Sequence, residues 1–135
     1  MRAVSIGDLV IDYYYKNGKL LGINGGMTSH NIIANLAKMG GDVAVFGVCG
    51  NDMQGKIAIR SLEKINVDIS NIIVLDDIRT RCFHVSYFDD EEKLLFTSKK
   101  RCPFCNEKKW YESSLINTDD IIKNDNLKEY FIYLQ

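Results

Sequence analysis

The chain carries no excess charge of either sign: 17 Lys and Arg stand against 18 Asp and Glu in 135 residues, a formal net charge of −1. This excludes the basic field that nucleic acid or an anionic membrane demands of a partner. No apolar run approaches the length that spans a bilayer. The N-terminus does not read as a secretory signal, because Asp8 and Asp12 interrupt its short apolar stretch. Cysteine is scarce, at four. In the cytoplasmic location expected here those four are thiols or metal ligands and not disulfides. Internal repeats and low-complexity segments are absent as well. The expected partners are small molecules or another protein.

What is present alternates. Residues 2–6 and 9–12 predict a strand with a tight polar interruption at Gly7-Asp8. Tyr13-Tyr14-Tyr15 and Leu20-Leu21-Gly22-Ile23 flank Asn17-Gly18, a pair suited to the positive φ angles of a hairpin turn, and predict an exposed aromatic flap. A helix is expected over 29–39, capped by Thr28 or Ser29 and ended by Gly40-Gly41, with Ile33, Ala37 and Gly40 on one face and Ile32, Leu36 and Met39 flanking it. Residues 43–48 form a continuous apolar run suited to a central parallel strand. A second helix over 53–65 would bury Ile57 or Ala58, Leu62 and Ile65, and 71–75 is another short strand. This order is α/β. From Arg79 the pattern changes: 81–88 and 93–98 predict a second hairpin around Asp89-Asp90-Glu91-Glu92, a run that reads as solvated charge at a tip. A short helix is expected over 119–127, then an apolar strand at the end. An internal parallel strand needs a crossover helix after it, so the chain is expected to stop within its fold.

The segment Gly25-Gly26-Met27-Thr28-Ser29-His30-Asn31 carries the most chemistry. Paired glycines bring bare backbone up to a polar ligand, and polar residues at a helix start offer N–H groups and hydroxyls to it. Asn31 supplies both a donor and an acceptor, which suits adjacent hydroxyls. Asp12 ends an apolar strand, and strand ends of an α/β sheet face the ligand crevice, where a carboxylate accepts hydroxyl hydrogen bonds. His30, between Ser29 and Asn31, could touch the ligand but reads first as a surface histidine at a helix start, and Asp8 reads as a turn residue. Together these predict a wall for a small hydroxylated molecule.

Gly25, Gly26, Asn31, Gly40 and Gly50, with Gly7-Asp8-Leu9-Val10-Ile11-Asp12 before them and Asp52 and Gly55 after, resemble the N-terminal signature of the PfkB/ribokinase-like carbohydrate kinases. Two differences stand out: the stretch from Gly26 to Asn31 is one residue longer than the commonest form, and Ile33 stands where a small residue is usual. The resemblance implies a three-layer α/β core with a projecting β-sheet lid, truncated before the C-terminal half. The core would take about 1–12, 24–79 and 119–135, and the lid about 13–23 and 80–112. It further implies transfer of the γ-phosphate of ATP, with Mg²⁺, to a sugar hydroxyl. Asp12, Gly25, Gly26 and Asn31 would hold the sugar, and two copies would pair through their lids. The family takes its catalytic carboxylate and phosphate site from a Gly-Ala-Gly-Asp segment, to which nothing in 1–135 corresponds. No catalytic residue is therefore expected in this chain, which alone is expected to bind and not to phosphorylate.

Cys102-Pro103-Phe104-Cys105 resembles one zinc knuckle, and Cys82 and His84 lie on one face of a strand whose hairpin partner leads into it. Four Zn²⁺ ligands could converge there, against the alternative that these cysteines are buried hydrophobes. Trp110-Tyr111 nearby reads as lid packing. Two rival functions follow: a non-enzymatic sugar-binding or dimerisation module, and a small zinc-stabilised interaction domain.

Overall fold

The first apolar stretch divides between two sheets. In the computed structural model, which describes residues 2–88, 94–98, 116, 119, 123 and 131–134, strand β1 (Arg2–Ile6) is followed by a separate strand, β2 (Val10–Lys16). The link between them continues the ladder of β4 (Asp42–Gly50): Gly7 N–H donates to Phe46 O at 3.1 Å and Leu9 N–H to Val48 O at 3.0 Å. A Cβ at Gly47 would stand 2.8 Å from Gly7 O, so glycine is needed for that approach. The single interrupted strand expected over 2–12 is thus two strands. The second sheet begins at Val10, not after Asp12.

The first sheet has the order β5-β4-β1-β8, with β5 (Asp68–Leu75) and β8 (Phe131–Leu134), and every pairing in it is parallel. The second has the order β3-β2-β6-β7, with β3 (Lys19–Gly26), β6 (Arg81–Tyr87) and β7 (Leu94–Ser98). It consists of two antiparallel hairpins joined by a parallel β2–β6 pair. Asn17 (φ 47°) and Gly18 (φ 79°) make the tight turn of the first hairpin as expected. Residues 89–93, which hold the acidic tip of the second, lie outside the described residues.

Helix α1 (Met27–Lys38) packs mainly on β1 and β4 and also on β3, while α2 (Met53–Glu63) packs on β5 and on β2 and β3, so both helices touch the two sheets. The core unites Ala3, Val43 and Val45 of the first sheet with Ile11, Tyr13 and Cys82 of the second through Ile33, Ala58 and Leu62 of the helices. Tyr13 is buried there, its hydroxyl accepting from Gln54 Nε2 at 3.1 Å, and Tyr14 and Tyr15 are half-buried, so the expected exposed aromatic flap is exposed only over residues 16–21. On the other face of the first sheet Val4, Ile6, Ala44 and Phe46 are buried with Ile116 against them. Helix α1 ends where expected: Gly40 (φ 82°) N–H reaches Ala37 O and Gly41 N–H reaches Leu36 O, which meets two orphan carbonyls. That turn leaves Met39 exposed, not on the buried flank. Of the expected helix over 119–127, Lys123 N–H donates to Asp119 O at 3.0 Å, one helical bond; its other residues lie outside the described ones. Among the described residues no helix is long and apolar enough to cross a membrane.

Candidate functional site

Alternation along β2 puts Asp12 and Tyr14 on the face of the second sheet turned away from α2, and Ile11, Tyr13 and Tyr15 on the face toward it. Asp12 is paired with Asn24 across the hairpin. Its carboxylate is buried, 4% exposed. Oδ2 accepts from Tyr14 Oη at 3.2 Å, and the backbone N–H of Met27 donates to the same carboxylate. Asp12 therefore serves as the acceptor at the start of α1. Gly26 is the residue before the helix and no side chain of the helix caps it, so the Thr28 or Ser29 cap expected from sequence is replaced by a carboxylate from another strand. Oδ1 remains buried with no hydrogen-bond partner among the described residues. Burial holds the Asp12 carboxyl above its ordinary value of 3.8, with the Tyr14 and Met27 hydrogen bonds opposing. Burial and the Asp12 charge likewise raise Tyr14.

The two glycines make room for two side chains. A Cβ at Gly26 would fall within 2.1 Å of Asp12 Cγ, and a Cβ at Gly25 within 2.1 Å of His30 Nε2. His30 is 6% exposed, so the surface histidine expected at the helix start is instead a wedge between α1 and β3. Its Nε2 lies 2.8 Å from Ser61 Oγ on α2, while the Ser61 hydroxyl donates to Ala58 O at 2.6 Å. Ser61 thus accepts from Nε2–H, which assigns the neutral tautomer with a bare Nδ1. That Nδ1 is buried without a partner among the described residues. Burial keeps the imidazole below its ordinary 6.5, the Lys38 charge adding to this and the Asn31 side chain opposing it.

A cleft of about 450 Å³ opens beside these groups, lined by Tyr14, Asn24, Gly25, His30, Asn31, Ala34, Asn35, Lys38, Ser61 and Ile65. Its size is that of small-molecule sites in general. Of the four residues expected to hold a sugar, Asn31 and Gly25 line this cleft. Asp12 and Gly26 are not part of the lining: Asp12 accepts from Tyr14, which is, and Gly26 packs on Asp12. Sequence reasoning missed Tyr14, Asn24, Asn35 and the buried setting of His30.

The Gly50-to-Gly55 turn forms a closed knot. Asp52 caps α2 by accepting from Gly55 N–H (2.8 Å), and it also accepts from Thr80 N–H (2.9 Å) and Thr80 Oγ1 (2.7 Å), while Gly50 N–H donates to Thr80 Oγ1 at 3.0 Å. Cβ atoms at Gly50 and Gly55 would fall 2.5 Å from Ile78 O and 2.2 Å from Gly50 O. This knot ties the end of β4 to the start of β6, where the chain leaves the first sheet for the second.

Cys82 and Cys49 are free, buried thiols. Burial and the Asp52 charge push Cys49 up to about 11, which keeps it inert. Cys82 belongs to the apolar core, and His84 stacks on Tyr13 and Tyr15 with ring centroids 5.3 and 5.5 Å apart. The two described members of the expected zinc set are thus engaged in packing. Cys102 and Cys105, like Trp110 and Tyr111, lie outside the described residues. Among the described residues no group of three His, Cys, Asp or Glu side chains could hold a metal ion.

The chain belongs to the pfkB family of carbohydrate kinases: the profile for pfkB family carbohydrate kinases matches residues 3–119. It is 31% identical to a fructokinase of Salmonella typhimurium, over 68% of this chain and 30% of that protein. It is likewise 31% identical to the bifunctional protein HldE of Sulfurimonas denitrificans, over 58% of this chain and 20% of that one. Its fold matches a Xylella fastidiosa fructokinase crystallised with bound ATP at a TM-score of 0.61 and 24% identity, over 70% of this chain and 30% of the other. The chain therefore spans less than a third of the length of these relatives. The α/β architecture is ribokinase-like.

Proposed function

We propose that this chain forms the sugar-recognition wall and lid of a carbohydrate kinase. The observation that carries this reading is the unpartnered, buried Oδ1 of Asp12, an acceptor shielded from water beside a cleft lined by carboxamides. A sugar hydroxyl meets that oxygen, Asn31 and Asn24 take neighbouring hydroxyls, and Gly25 and Gly26 keep the wall open by leaving room for His30 and Asp12. The second sheet is the lid, the first sheet with its helices the core. ATP and Mg²⁺ are the co-reactants of the whole enzyme, in keeping with the ATP bound in the Xylella relative. The described residues offer no metal-binding cluster. What they supply is sugar orientation and exclusion of water, and transfer itself awaits groups that they do not provide.

The test is direct binding. Titration calorimetry with neutral hexoses should detect binding by the chain, lost in Asp12→Ala, and no ATP-dependent sugar phosphorylation should accompany it. Sugar affinity unchanged in Asp12→Ala, or turnover by these 135 residues, overturns the reading.

The lid also carries exposed apolar surface: Leu20, Leu21, Tyr87 and Phe88 stand at its outer end, where Asn17 N–H meets Tyr87 O. A homodimer through this end covers it. Sedimentation unchanged by Phe88→Glu would remove that pairing.

A further inference from the structure

Three tyrosines stand in a row on β2, and packing accounts for two of them. Tyr13 and Tyr15 face the helices, lie in or against the core and stack on His84. Tyr14 belongs to neither apolar cluster among the described residues. It is half-buried and lines the cleft, whereas Asp12 is buried and does not. The phenol is thus the part of this pair that an entering molecule meets. Its single proton is committed to Asp12 Oδ2 at 3.2 Å, and none of the described residues donates to its oxygen. Toward a ligand the hydroxyl is therefore an acceptor only. A hydroxyl that donates to an anion has more negative charge on its own oxygen, so the Asp12 carboxylate strengthens that acceptor. The contact is also long for a hydroxyl on a carboxylate, where about 2.6 Å is usual. Such bonds tighten once a ligand is in place. A tyrosine serving only to satisfy the carboxylate gains nothing from lining a cleft, and this one leaves Asp12 Oδ1 unmet.

We propose that Tyr14 is a specificity-determining contact of the sugar wall: its oxygen accepts one ligand hydroxyl and couples that hydroxyl to Asp12. This rests on the sugar-wall reading and deepens it. Asp12 Oδ1 meets one hydroxyl directly, and Oδ2 serves a second one through Tyr14. An ether or a deoxy carbon at that second position has no proton to give, and the polarised oxygen is then left unpaired.

The experiment titrates the chain with fructose, glucose and mannose by calorimetry, from about pH 7.5 down to about pH 4.5, in the wild type, Tyr14→Phe and Tyr15→Phe. Tyr14→Phe keeps the ring and should bind the preferred hexose roughly tenfold more weakly at neutral pH, as the loss of one charge-assisted contact warrants. Tyr15→Phe changes a ring that packs on His84 outside the cleft lining and should bind as the wild type does. The pH profile separates this role from packing. Asp12 is faced by Tyr14 on its own strand, by Met27 N–H of α1, by Asn24 across on β3 and by Phe83 alongside on β6, where Arg81 covers the Phe83 ring. Removing the Tyr14 hydroxyl takes away one of the two hydrogen bonds that oppose protonation of Asp12, so the acid loss of binding should begin at higher pH in Tyr14→Phe. His30 and Lys38 line the same cleft but are common to all three proteins, so they do not displace one profile from another. Affinity in Tyr14→Phe equal to or above that of the wild type, or a weaker affinity whose acid limb has not moved, overturns this inference and leaves the sugar wall standing on Asp12→Ala. Silence from every hexose overturns both.

Discussion

Asp52 and Asp12 are the same residue type, each buried beside a glycine that a methyl group would crowd, and they end in opposite conditions. Asp52 receives three donors, from Gly55 and twice from Thr80. Asp12 receives Tyr14 and Met27 and keeps one buried oxygen unmet. The first is a closed network, in which every hydrogen bond serves the joint between the two sheets. The second is open, and its raised pKa registers the cost of burying a charge with too few partners. A fully satisfied carboxylate holds a fold together; an unsatisfied one at a cleft has binding capacity left for a ligand.

The largest expected effect tests that contrast. Asp52→Ala strands Thr80 N–H, Thr80 Oγ1–H and Gly55 N–H, and should lower stability by about 3 kcal/mol or more at about 1 kcal/mol per stranded donor. Asp12→Ala frees Tyr14 Oη–H and Met27 N–H but also removes a carboxylate that burial penalises, so its loss of stability should be clearly smaller than that of Asp52→Ala while sugar binding disappears. Denaturant unfolding of both variants checks this. Equal stability losses at the two positions would erase the distinction between joint and site.

A smaller effect is expected at the two glycines. Gly25→Ala drives a methyl group into the His30 ring and should cost about 2 kcal/mol, as overpacking does. Adding His30→Ala should return about 1 kcal/mol or more of that loss, a coupling that would not arise if Gly25 served only a ligand. The same histidine sets an acid sensitivity. Unfolded His30 takes up a proton near 6.5 and the folded residue only at lower pH, so the unfolded state binds more protons in that window and stability falls as pH drops through it. Asp12 acts in the opposite sense: its folded value lies above 3.8, the folded state holds the extra proton, and stability falls as pH rises through that window. Thermal melts from about pH 7.5 down to about pH 5 should show His30→Asn losing less stability than the wild type. Parallel curves for the two proteins would mean that His30 is not held neutral.

How much of this was legible in the sequence depends on where the deciding contact lies. The helices, the parallel strands and both hairpins follow from periodicity and from Asn17-Gly18, because those signals are local. The division at Gly7 to Leu9 does not, since an apolar run suits either sheet equally well. Register in the first hairpin is the sharper case. A two-residue turn that pairs Lys16 with Lys19 would place Asp12 opposite Ile23, but an irregularity after Tyr14 shifts the pairing by one and places Asp12 opposite Asn24. A one-residue shift exchanges the faces of β3 from Gly22 to Gly26. It brings Asn24 and Gly26 to the side of Asp12 and turns Gly25 toward His30. The burial of His30 had a readable signal, because it lies one turn before Ile33 and Ala34 on the packed face of α1. The slot that accepts it exists only once β3 is in register.

The smallest expected effect concerns the residue that makes this segment longer than its family's usual form. Counted back from Asn31, the usual spacing puts the paired glycines at Gly26 and Met27. Met27 holds φ 66°, in the left-handed region where glycine is at ease and a side chain is not. Its N–H is the one that meets the Asp12 carboxylate, at the point where β3 gives way to α1. Met27→Gly should therefore relieve strain of about 1–2 kcal/mol, against a backbone-entropy cost of about 0.5–1 kcal/mol for glycine, a net gain of roughly half a kcal/mol. Met27→Ala keeps the strain and should show no gain. Stabilisation by glycine alone, read from denaturant midpoints with sugar affinity retained, would mean that the turn needs the angle and not the side chain. A loss of stability in Met27→Gly would mean that the half-buried thioether packs more than the angle costs.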